Sequence, residues 1–217
     1  RFFINTAHDI RTPLTLIKAP LEEIQQKENL SEESQANMLT AMKNVDTLLR
    51  LTTNLINFSK ANVYSSSLRI SEHELNTYME GICHAFYSYA EAKQIKLDYK
   101  SNFEYQNVWF DKEKMDSITK NLISNAIKYT PAHGEVHIII CHDKDNWSLE
   151  ITDTGIGIPA KEQKKLFELH FRGSNAINAK ITGSGIGLML VWKLVRIHKG
   201  KISIESVENK GTRVKVI

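Results

Sequence analysis

Residues 1–27, RFFINTAHDIRTPLTLIKAPLEEIQQK, decide the architecture of the first part of the chain. Their apolar side chains recur at alternating intervals of four and three residues, at positions 3, 7, 10, 14, 17, 21 and 24. This heptad spacing is typical of a helix that packs along one seam in a helical bundle. The sequence therefore predicts a long helix, which ends where the pattern breaks at residues 27–29.

A second helix with the same spacing follows directly. Ser31 is a favourable N-cap, and Glu32 and Glu33 suit the positive end of a helix. The same interval returns at positions 38, 42, 45, 49, 52, 56 and 59. Two helices of roughly 25–28 residues, each about 40 Å long, form an antiparallel hairpin that leaves one apolar face of each helix uncovered. We therefore predict that two chains pair into a dimeric four-helix bundle.

The heptad pattern stops near residue 63, where a tyrosine and three serines are typical of a linker. We predict a helical hairpin at 1–62, a linker at 63–70 and a second domain at 71–217. In that domain helical and strand-like patterns alternate, which predicts an α/β sandwich with a mixed sheet. The predicted helices cover 71–93, opened by Ser71, then from an Asp111 cap to about 129, and 184–199; the predicted strands cover 95–99, 136–141, 148–152, 201–206 and 212–217.

The composition is that of an ordinary globular protein, with 217 residues, 41% of them hydrophobic and 24% charged. A formal net charge of +3 and the lack of any run of five basic residues argue against a nucleic-acid partner. Cys83 and Cys141 show no CxxC spacing, so we expect a reducing compartment and packing roles. No apolar run approaches the ~18–20 residues of a membrane span. Because Arg1 stands inside a helical pattern, we expect that a longer chain precedes it.

His8, Asp9 and Thr12 form the first group of residues with chemistry of their own. His8 follows a seam position, so its imidazole is expected partly in solvent, and Thr12 lies one turn further on the same face. A neutral imidazole can act as a nucleophile, and an adjacent carboxylate can orient it and accept its proton. Pro13 removes a backbone hydrogen bond, so we expect a local bend. An isolated His–Asp pair is more often a solvated part of a helix, so this group alone establishes no site.

The second group lies at the end of the helix that Asp111 opens. Asn121 and Asn125 are four residues apart and face the same way, and amide oxygens are suitable ligands for Mg2+. Lys128 supplies a charge for phosphate, and Tyr129 offers a ring face on which a base can stack. A capped helix terminus with asparagines near a turn explains the same residues without a ligand.

The third group is rich in glycine. Asp153 follows a strand, and Gly155 and Gly157 permit a tight turn and a close backbone approach. A buried carboxylate at such a turn can accept a hydrogen bond from an exocyclic amine, although plain turns share this pattern. Residues 182–188, TGSGIGL, precede a helix, and backbone N–H groups at such a start bind anions. We reject a dinucleotide-binding fingerprint there because no parallel strand–helix–strand unit precedes it.

Between the glycine-rich stretches, the sequence predicts a short helix and a mobile polar loop that serves as a lid. Arg172 in this segment is placed to reach a phosphate, although a solvated arginine is the simpler interpretation. Gly211 and Thr212 close the last turn of the chain, which a hairpin alone explains.

The motifs HDxxTP, NxxxNAxKYTP, DTGIGIP, LFxxxFRG and GSGIGL, in this order, resemble the sensor histidine kinases of two-component signalling. The resemblance covers essentially the whole chain, as a dimerisation and phosphotransfer hairpin followed by an ATP-binding domain. It implies a homodimer that uses ATP and Mg2+ to phosphorylate itself and passes the phosphoryl group to an aspartate of a response regulator receiver domain, separate or fused. It also implies phosphatase activity toward that regulator and a cytoplasmic position in a bacterial receptor anchored in the inner membrane.

The resemblance implies three roles in the hairpin. The histidine that matches His8 accepts the γ-phosphoryl group of ATP, and the acidic residue that matches Asp9 assists as a base or orients the imidazole. The polar residue that matches Thr12 positions the water that dephosphorylates the response regulator. Family members often carry glutamate beside the histidine, so the reach of Asp9 is one methylene shorter.

The other implied roles concern the nucleotide. The asparagine that matches Asn125 binds Mg2+ with support from Asn121, and Lys128 and Tyr129 match residues that contact phosphate and the adenine side. Asp153 matches the aspartate that recognises the adenine amino group. The remaining matched positions are Gly155, Gly157, Gly183, Gly185, Gly187 and Leu188 along the pocket and lid, Arg172 near the γ-phosphate and Thr212 near adenine.

Two alternatives stay open at this point. An energy-coupling ATPase of the gyrase B or chaperone type has the same ATP-binding domain, but it lacks a heptad hairpin that carries His8 and Asp9. A degenerate dimerisation scaffold has the hairpin, but Asn125, Asp153 and all the glycine motifs are intact here. The lid-side motif departs from the family at residues 169–170, where many members place arginine or proline, so docking of this motif on the hairpin is not implied.

Overall fold

The structure is a computed structural model, and it describes residues 2–27, 31–63, 68–143, 146–168, 171, 173–179, 181 and 185–217. In the first two helices, the side chains of residues 2–9, 11, 25–27, 50–51 and 53–63 lie outside this description. The chain divides into two compact units, Arg1–Ser65 and Ser66–Ile217. Our finer boundaries at 62, 70 and 71 stay predictions.

The first unit is a helical hairpin of α1 (Phe2–Lys27) and α2 (Glu32–Val63), as the heptad pattern predicted. Ser31 caps α2, because its hydroxyl accepts a hydrogen bond from the backbone N–H of Ser34 at 3.3 Å. Leu14 and Val45, both predicted seam positions, are buried between the helices. Ile10 and Ile17 on the same predicted seam remain 44% and 49% exposed, so a single hairpin leaves apolar surface in contact with solvent.

The second unit is an α/β domain with a five-stranded mixed sheet, which confirms the predicted fold class. The strand order is β2-β4-β5-β7-β6, in which β2 pairs with β4 in parallel and every other pair is antiparallel. A separate two-stranded sheet pairs β1 with β3. The elements are β1 (Ile70–Glu74), α3 (Leu75–Ala92), β2 (Lys96–Ser101), β3 (Asn107–Asp111), α4 (Lys112–Tyr129), β4 (Glu135–His142), β5 (Trp147–Asp153), a 3-10 turn (Gln163–Lys165), α5 (Ser174–Asn178), α6 (Gly187–Ile197), β6 (Ile202–Val207) and β7 (Gly211–Val216).

The core lies between the five-stranded sheet and the layer formed by α3, α4 and α6. Alternate residues of β4 and β5 point into it, among them Ile138 and Leu149, which are fully buried. Ile123 of α4 and Val191 of α6 close the core from the helical side. This layer fixes where α4 and α6 lie relative to the ends of the strands, and those ends carry the predicted site residues.

The predicted helix at 71–93 was wrong at its start. Residues 70–74 form β1, in which Ser71 pairs with Phe110 of β3, a strand that the sequence analysis did not predict. The helix begins at Leu75, and its N-cap is Glu74, whose carboxylate accepts hydrogen bonds from the N–H groups of Asn76 at 3.1 Å and Thr77 at 2.6 Å. Pairing with a distant strand overrides the local signal of Ser71 because the ladder satisfies the backbone there.

The other predicted elements of the second domain are present with small shifts in their ends. Asp111 caps α4 as predicted, because its carboxylate accepts a hydrogen bond from the N–H of Lys114 at 3.1 Å. Cys83 is buried in the core as expected, but Cys141 is exposed, so the packing role predicted for it is wrong. In the part of the chain described here, no helix combines the length and the apolar composition that a membrane span needs.

Candidate functional site

Asp153, Thr212 and the end of α4 meet at one edge of the second domain, where β5 ends and β7 begins. Asp153 is the last residue of β5, and it pairs in register with Thr212 of β7. The C-terminal end of α4 lies beside them, because the N–H of Ile156 donates to the carbonyl of Tyr129 at 3.1 Å. Three segments that are far apart in sequence therefore meet at this edge.

Asp153 is the buried charge of the site, with 8% of its surface exposed. Burial raises the pKa of its carboxyl to about 6, and hydrogen bonds from Gly155 and Thr212 oppose this rise. The Oδ1 atom accepts from the N–H of Gly155 at 2.9 Å and from the N–H of Thr212 at 3.2 Å. Among the described residues, no donor bonds to Oδ2, so this oxygen is available to an amine of a ligand.

Gly155 allows the turn after β5 to lie directly on the end of α4. A Cβ at this position would stand 2.5 Å from the carbonyl oxygen of Tyr129 and 2.6 Å from Oδ1 of Asp153. Any side chain would therefore push the turn away from both groups and break the hydrogen bond that holds the carboxylate. The sequence identified Gly155 for this reason, and the geometry agrees.

Thr212 belongs to a hydroxyl pair that the sequence analysis did not recognise. Its Oγ1 lies 2.8 Å from Oγ of Ser206, and the Ser206 hydroxyl also donates to the carbonyl of Gly211 at 3.0 Å. With the Ser206 proton used in this way, the Thr212 hydroxyl donates to Ser206. Ser206 therefore positions Thr212 beside Asp153, and only the pairing of β6 with β7 could have revealed it.

Asn121 and Asn125 lie one turn apart on α4, as predicted. The amide nitrogen of Asn121 donates to the carbonyl of Ser117 at 2.6 Å, and this bond leaves its Oδ1 as an acceptor. That oxygen lies 2.8 Å from where a Cβ of Gly187 would stand, so the absence of a side chain there lets α6 begin close to α4. Asn125 is half-buried, and its side chain makes no hydrogen bond to the described part of the chain.

Lys128 and Tyr129 form a local pair at the end of α4. The ammonium of Lys128 lies 3.2 Å from the Tyr129 hydroxyl and 4.6 Å from the centre of its ring, so the cation lies over the aromatic face. Lys93, which the sequence analysis missed, donates to the carbonyls of Ile127 at 3.3 Å and Lys128 at 3.4 Å. It adds a positive charge at the helix C-terminus, where the orphan carbonyls gather.

The lid region is described only in part. Arg172 and Gly183 lie outside the described residues, so the roles predicted for them stay predictions. Gly185 has a φ of +70° just before α6, and Leu188 is half-buried in the first turn of that helix. The segment between the two glycine-rich turns contains α5.

The predicted phosphoacceptor group lies in the other unit, on α1. The backbone at His8 and Asp9 is helical, but their side chains lie outside the described part of the structure. Thr12 is exposed one turn further along the same helix, and α1 continues through Pro13. The roles predicted for His8, Asp9 and Thr12 stay predictions.

The two asparagine side chains of α4 suit a magnesium ion that accompanies a nucleotide. Two amide side chains on one helix face can supply only one or two hard oxygen ligands, so phosphates and water would complete an octahedral shell. Within the described residues no group of three or more His, Cys, Asp or Glu side chains is placed to hold a metal alone.

Two family models match the chain. The His Kinase A (phospho-acceptor) domain matches residues 1–62, and the histidine kinase-, DNA gyrase B-, and HSP90-like ATPase matches residues 110–217. Among curated proteins, histidine kinase P4 of Formosa agariphila is 30% identical over 100% of this chain and 16% of its own length. Sensor histidine kinase WalK of Bacillus subtilis is 28% identical over 98% of this chain and 35% of its own length. The chain thus spans a minor part of these relatives.

Solved structures share the same fold. Full-length ShkA in complex with AMPPNP has a TM-score of 0.78 at 19% identity, over 99% of this chain and 44% of that one. The histidine kinase AdeS of Acinetobacter baumannii has a TM-score of 0.63 at 22% identity, over 97% of this chain and 96% of that one. At these identities the similarity concerns the fold alone.

Proposed function

Since this chain belongs to the sensor histidine kinases, we propose that its second unit binds Mg2+–ATP beside Asp153 and that the γ-phosphoryl group is transferred to His8. The observation that carries the proposal is the buried carboxylate of Asp153, held by two backbone N–H groups at the edge of the ATPase-type domain. A carboxylate in this position suits recognition of the adenine amino group.

The nucleotide would lie along α4, between the end of β5 and the start of α6. Oδ2 of Asp153 would accept the amine of the base, and Thr212 would border the base on the same side. Asn125 would bind the magnesium ion, with Asn121 in a supporting role. Bound magnesium neutralises phosphate charge, and Lys128 adds a second cation for this purpose. Arg172 and the glycines of the lid complete the proposed pocket.

The transfer step itself is a displacement at phosphorus. A neutral imidazole nitrogen of His8 attacks the γ-phosphorus, the bond to the β–γ bridging oxygen breaks, and ADP leaves with the electron pair of that bond. Asp9 would orient the imidazole and accept the proton from its other nitrogen. The phosphoryl group would then pass to an aspartate of a response regulator receiver domain, separate or fused, and Thr12 would position the water that later removes it.

The exposed apolar seam residues of α1 support a homodimer through a four-helix bundle, because a second copy would cover Ile10 and Ile17. We further propose that the chain acts on the cytoplasmic side of a bacterial membrane as part of a longer, anchored receptor. Both proposals concern the whole protein, whereas this chain matches only part of the length of its relatives.

The test is incubation with Mg2+ and ATP labelled at the γ-phosphate. We expect acid-labile, base-stable label on the wild type and none on His8→Ala. Asn125→Ala should also abolish labelling while sedimentation still shows a dimer. If the protein releases inorganic phosphate but retains no label, the energy-coupling ATPase is the better description. Label that survives in His8→Ala would exclude His8 as the acceptor.

A further inference from the structure

One side chain, Asn175 in α5, fastens the segment between the two glycine-rich turns to the first of them. Its amide nitrogen donates to the carbonyl oxygen of Gly157 at 2.9 Å and to that of Ile156 at 3.3 Å. Its amide oxygen accepts from the N–H of Ala176 at 2.9 Å. This half-buried amide therefore uses both of its ends, and both donor bonds end on the turn that follows Asp153.

Backbone contacts with other elements hold that turn in place. The N–H of Ile156 donates to Tyr129 at the end of α4, and its carbonyl accepts a second bond from the N–H of Asn209 at 2.8 Å. Gly157 has a φ of +60°, and a Cβ there would collide with the carbonyl of Val207. Because α4 and the turn between β6 and β7 hold these residues, the bonds from Asn175 attach α5 to backbone that does not depend on α5 itself.

Two further side chains anchor the segment ahead of α5. Gln163 donates to the carbonyl of Ile158 at 3.1 Å and to that of Ser206 at 2.7 Å. The carboxylate of Glu162 accepts from the N–H of Ser174 at 2.9 Å, and hydrogen bonds from the side chain and the N–H of Ser174 lower the pKa of Glu162. Glu162 and Gln163 lie at the near end of the segment, so Asn175 is the contact that ties α5 directly to the turn.

We propose that Asn175 is a positioning residue that latches α5 to the turn at residues 156–157 and thereby determines how tightly the site beside Asp153 holds a nucleotide. The inference rests on the proposed function, because it takes that site to be the nucleotide pocket. Asn175 acts through the turn, so its loss changes the affinity for Mg2+–ATP and the KM for ATP more than kcat.

The chemistry of the contact provides a sharp variant. Asn175→Asp keeps the size of the side chain and the acceptor for Ala176, but it replaces the two donor bonds with a carboxylate oxygen facing two carbonyl oxygens. A residue that merely starts a helical turn tolerates aspartate well. If Asn175 holds α5 through its two donor bonds, aspartate is unfavourable there. Asn175→Asp should then weaken the binding of Mg2+–ATP more than Asn175→Ala does. Asn178→Asp is the matched control, because Asn178 is exposed on the same helix.

The experiment has two readouts on the intact chain. Without nucleotide, hydrogen exchange at the α5 amides should be about tenfold faster in Asn175→Asp, since both donor bonds to the turn are lost. By calorimetry, the Kd for Mg2+–ATP should rise by about tenfold, with Asn175→Ala in between and Asn178→Asp like the wild type. In labelling kinetics, KM should rise while kcat changes by less than about twofold.

The outcomes separate the latch from the proposed function. If the wild type binds Mg2+–ATP and Asn175→Asp shows the same Kd and the same exchange, the latch is overturned and the nucleotide site stands. A drop in kcat with unchanged KM would equally overturn it, because Asn175 would then act on the chemical step. If the wild type binds no nucleotide, the proposed function fails, whatever the exchange at α5 shows.

Discussion

The backbone N–H of Thr212 donates a hydrogen bond to Oδ1 of Asp153 over 3.2 Å and joins the start of β7 to the end of β5. A second bond, from Gly155, reaches the same oxygen. Burial nevertheless prevails and raises the pKa of this carboxyl to about 6. The protein therefore keeps a carboxylate where ionisation is costly, as functional sites often do.

The first prediction is that Asp153→Asn stabilises the protein at pH 7. Asparagine keeps the acceptor for Gly155 and Thr212 but carries no buried charge, so the free energy of unfolding should rise by about 1–3 kcal/mol. Since the folded-state pKa lies above the usual value of 3.8, the wild-type group stabilises fully below about pH 4, and this stabilisation is lost as the pH rises through 6. Urea unfolding at pH 4 and pH 7.5 measures this difference.

At pH 4 the difference in the free energy of unfolding between Asp153→Asn and the wild type should nearly vanish. A variant that is less stable than the wild type at pH 7.5 would show that the ionised carboxylate holds the fold together, and it would contradict our view of the site.

The second prediction concerns the pH dependence of base recognition. An amine of the ligand favours the ionised form of Asp153, so affinity should be constant above pH 7 and should fall by up to about tenfold per pH unit below pH 6. Adenosine is the suitable probe, because it has no phosphate to titrate, and binding can be followed by NMR titration. An affinity that is unchanged between pH 7.5 and pH 5 would exclude Asp153 from contact with the base.

The third prediction concerns the buried ion pair at the start of α4. Asp111 accepts from the N–H of Arg69 at 2.9 Å and pairs with the ammonium of Lys114, and both side chains are buried. Asp111→Ala removes the carboxylate from a buried ion pair and should cost about 3–5 kcal/mol in the free energy of unfolding. Lys114→Met in the same chain should recover most of the loss. If the double variant is no more stable than Asp111→Ala, the capping bonds and not the ion pair carry the effect.

The cap at Asp111 was predictable because its signal is local, an aspartate directly ahead of a helical pattern. The site edge was predictable for a similar reason, since Asp153 and its glycines stand together in the sequence. Glu74 was missed because its role depends on the pairing of β1 with β3 and on the N–H of Gln106, 32 residues away. Lys93 and Asn175 were missed in the same way, because each acts on backbone that is distant in sequence. Ser206 was missed because its contacts with Gly211 and Thr212 depend on the pairing of β6 with β7.

The fourth prediction tests the corrected start of α3. Glu74→Ala should destabilise the protein by about 1–2 kcal/mol because it removes the N-cap of α3, whereas Ser71→Ala should change the free energy of unfolding by less than about 0.5 kcal/mol. Burial opposes ionisation of Glu74, but hydrogen bonds from Thr77, Gln106 and Asn76 lower its pKa to about 2. Its contribution is therefore present above pH 4.5 and is lost as the pH falls toward 2.

Thermal unfolding of both variants at pH 7 and pH 3 checks this prediction. A larger loss of thermal stability in Ser71→Ala than in Glu74→Ala would contradict a helix start after Glu74 and would favour the start at Ser71 that the sequence alone suggested.

The most direct test of the central claim, that ATP held beside Asp153 phosphorylates His8, is to locate the phosphoryl group. After incubation with Mg2+–ATP, the chain is digested and analysed by tandem mass spectrometry at neutral or basic pH, because phosphohistidine is labile in acid. We predict one phosphorylated residue, His8, with no phosphate on any other histidine and none on any histidine of Asp153→Asn. Phosphate on another residue, or none on His8 in a wild type that binds ATP, would contradict the claim.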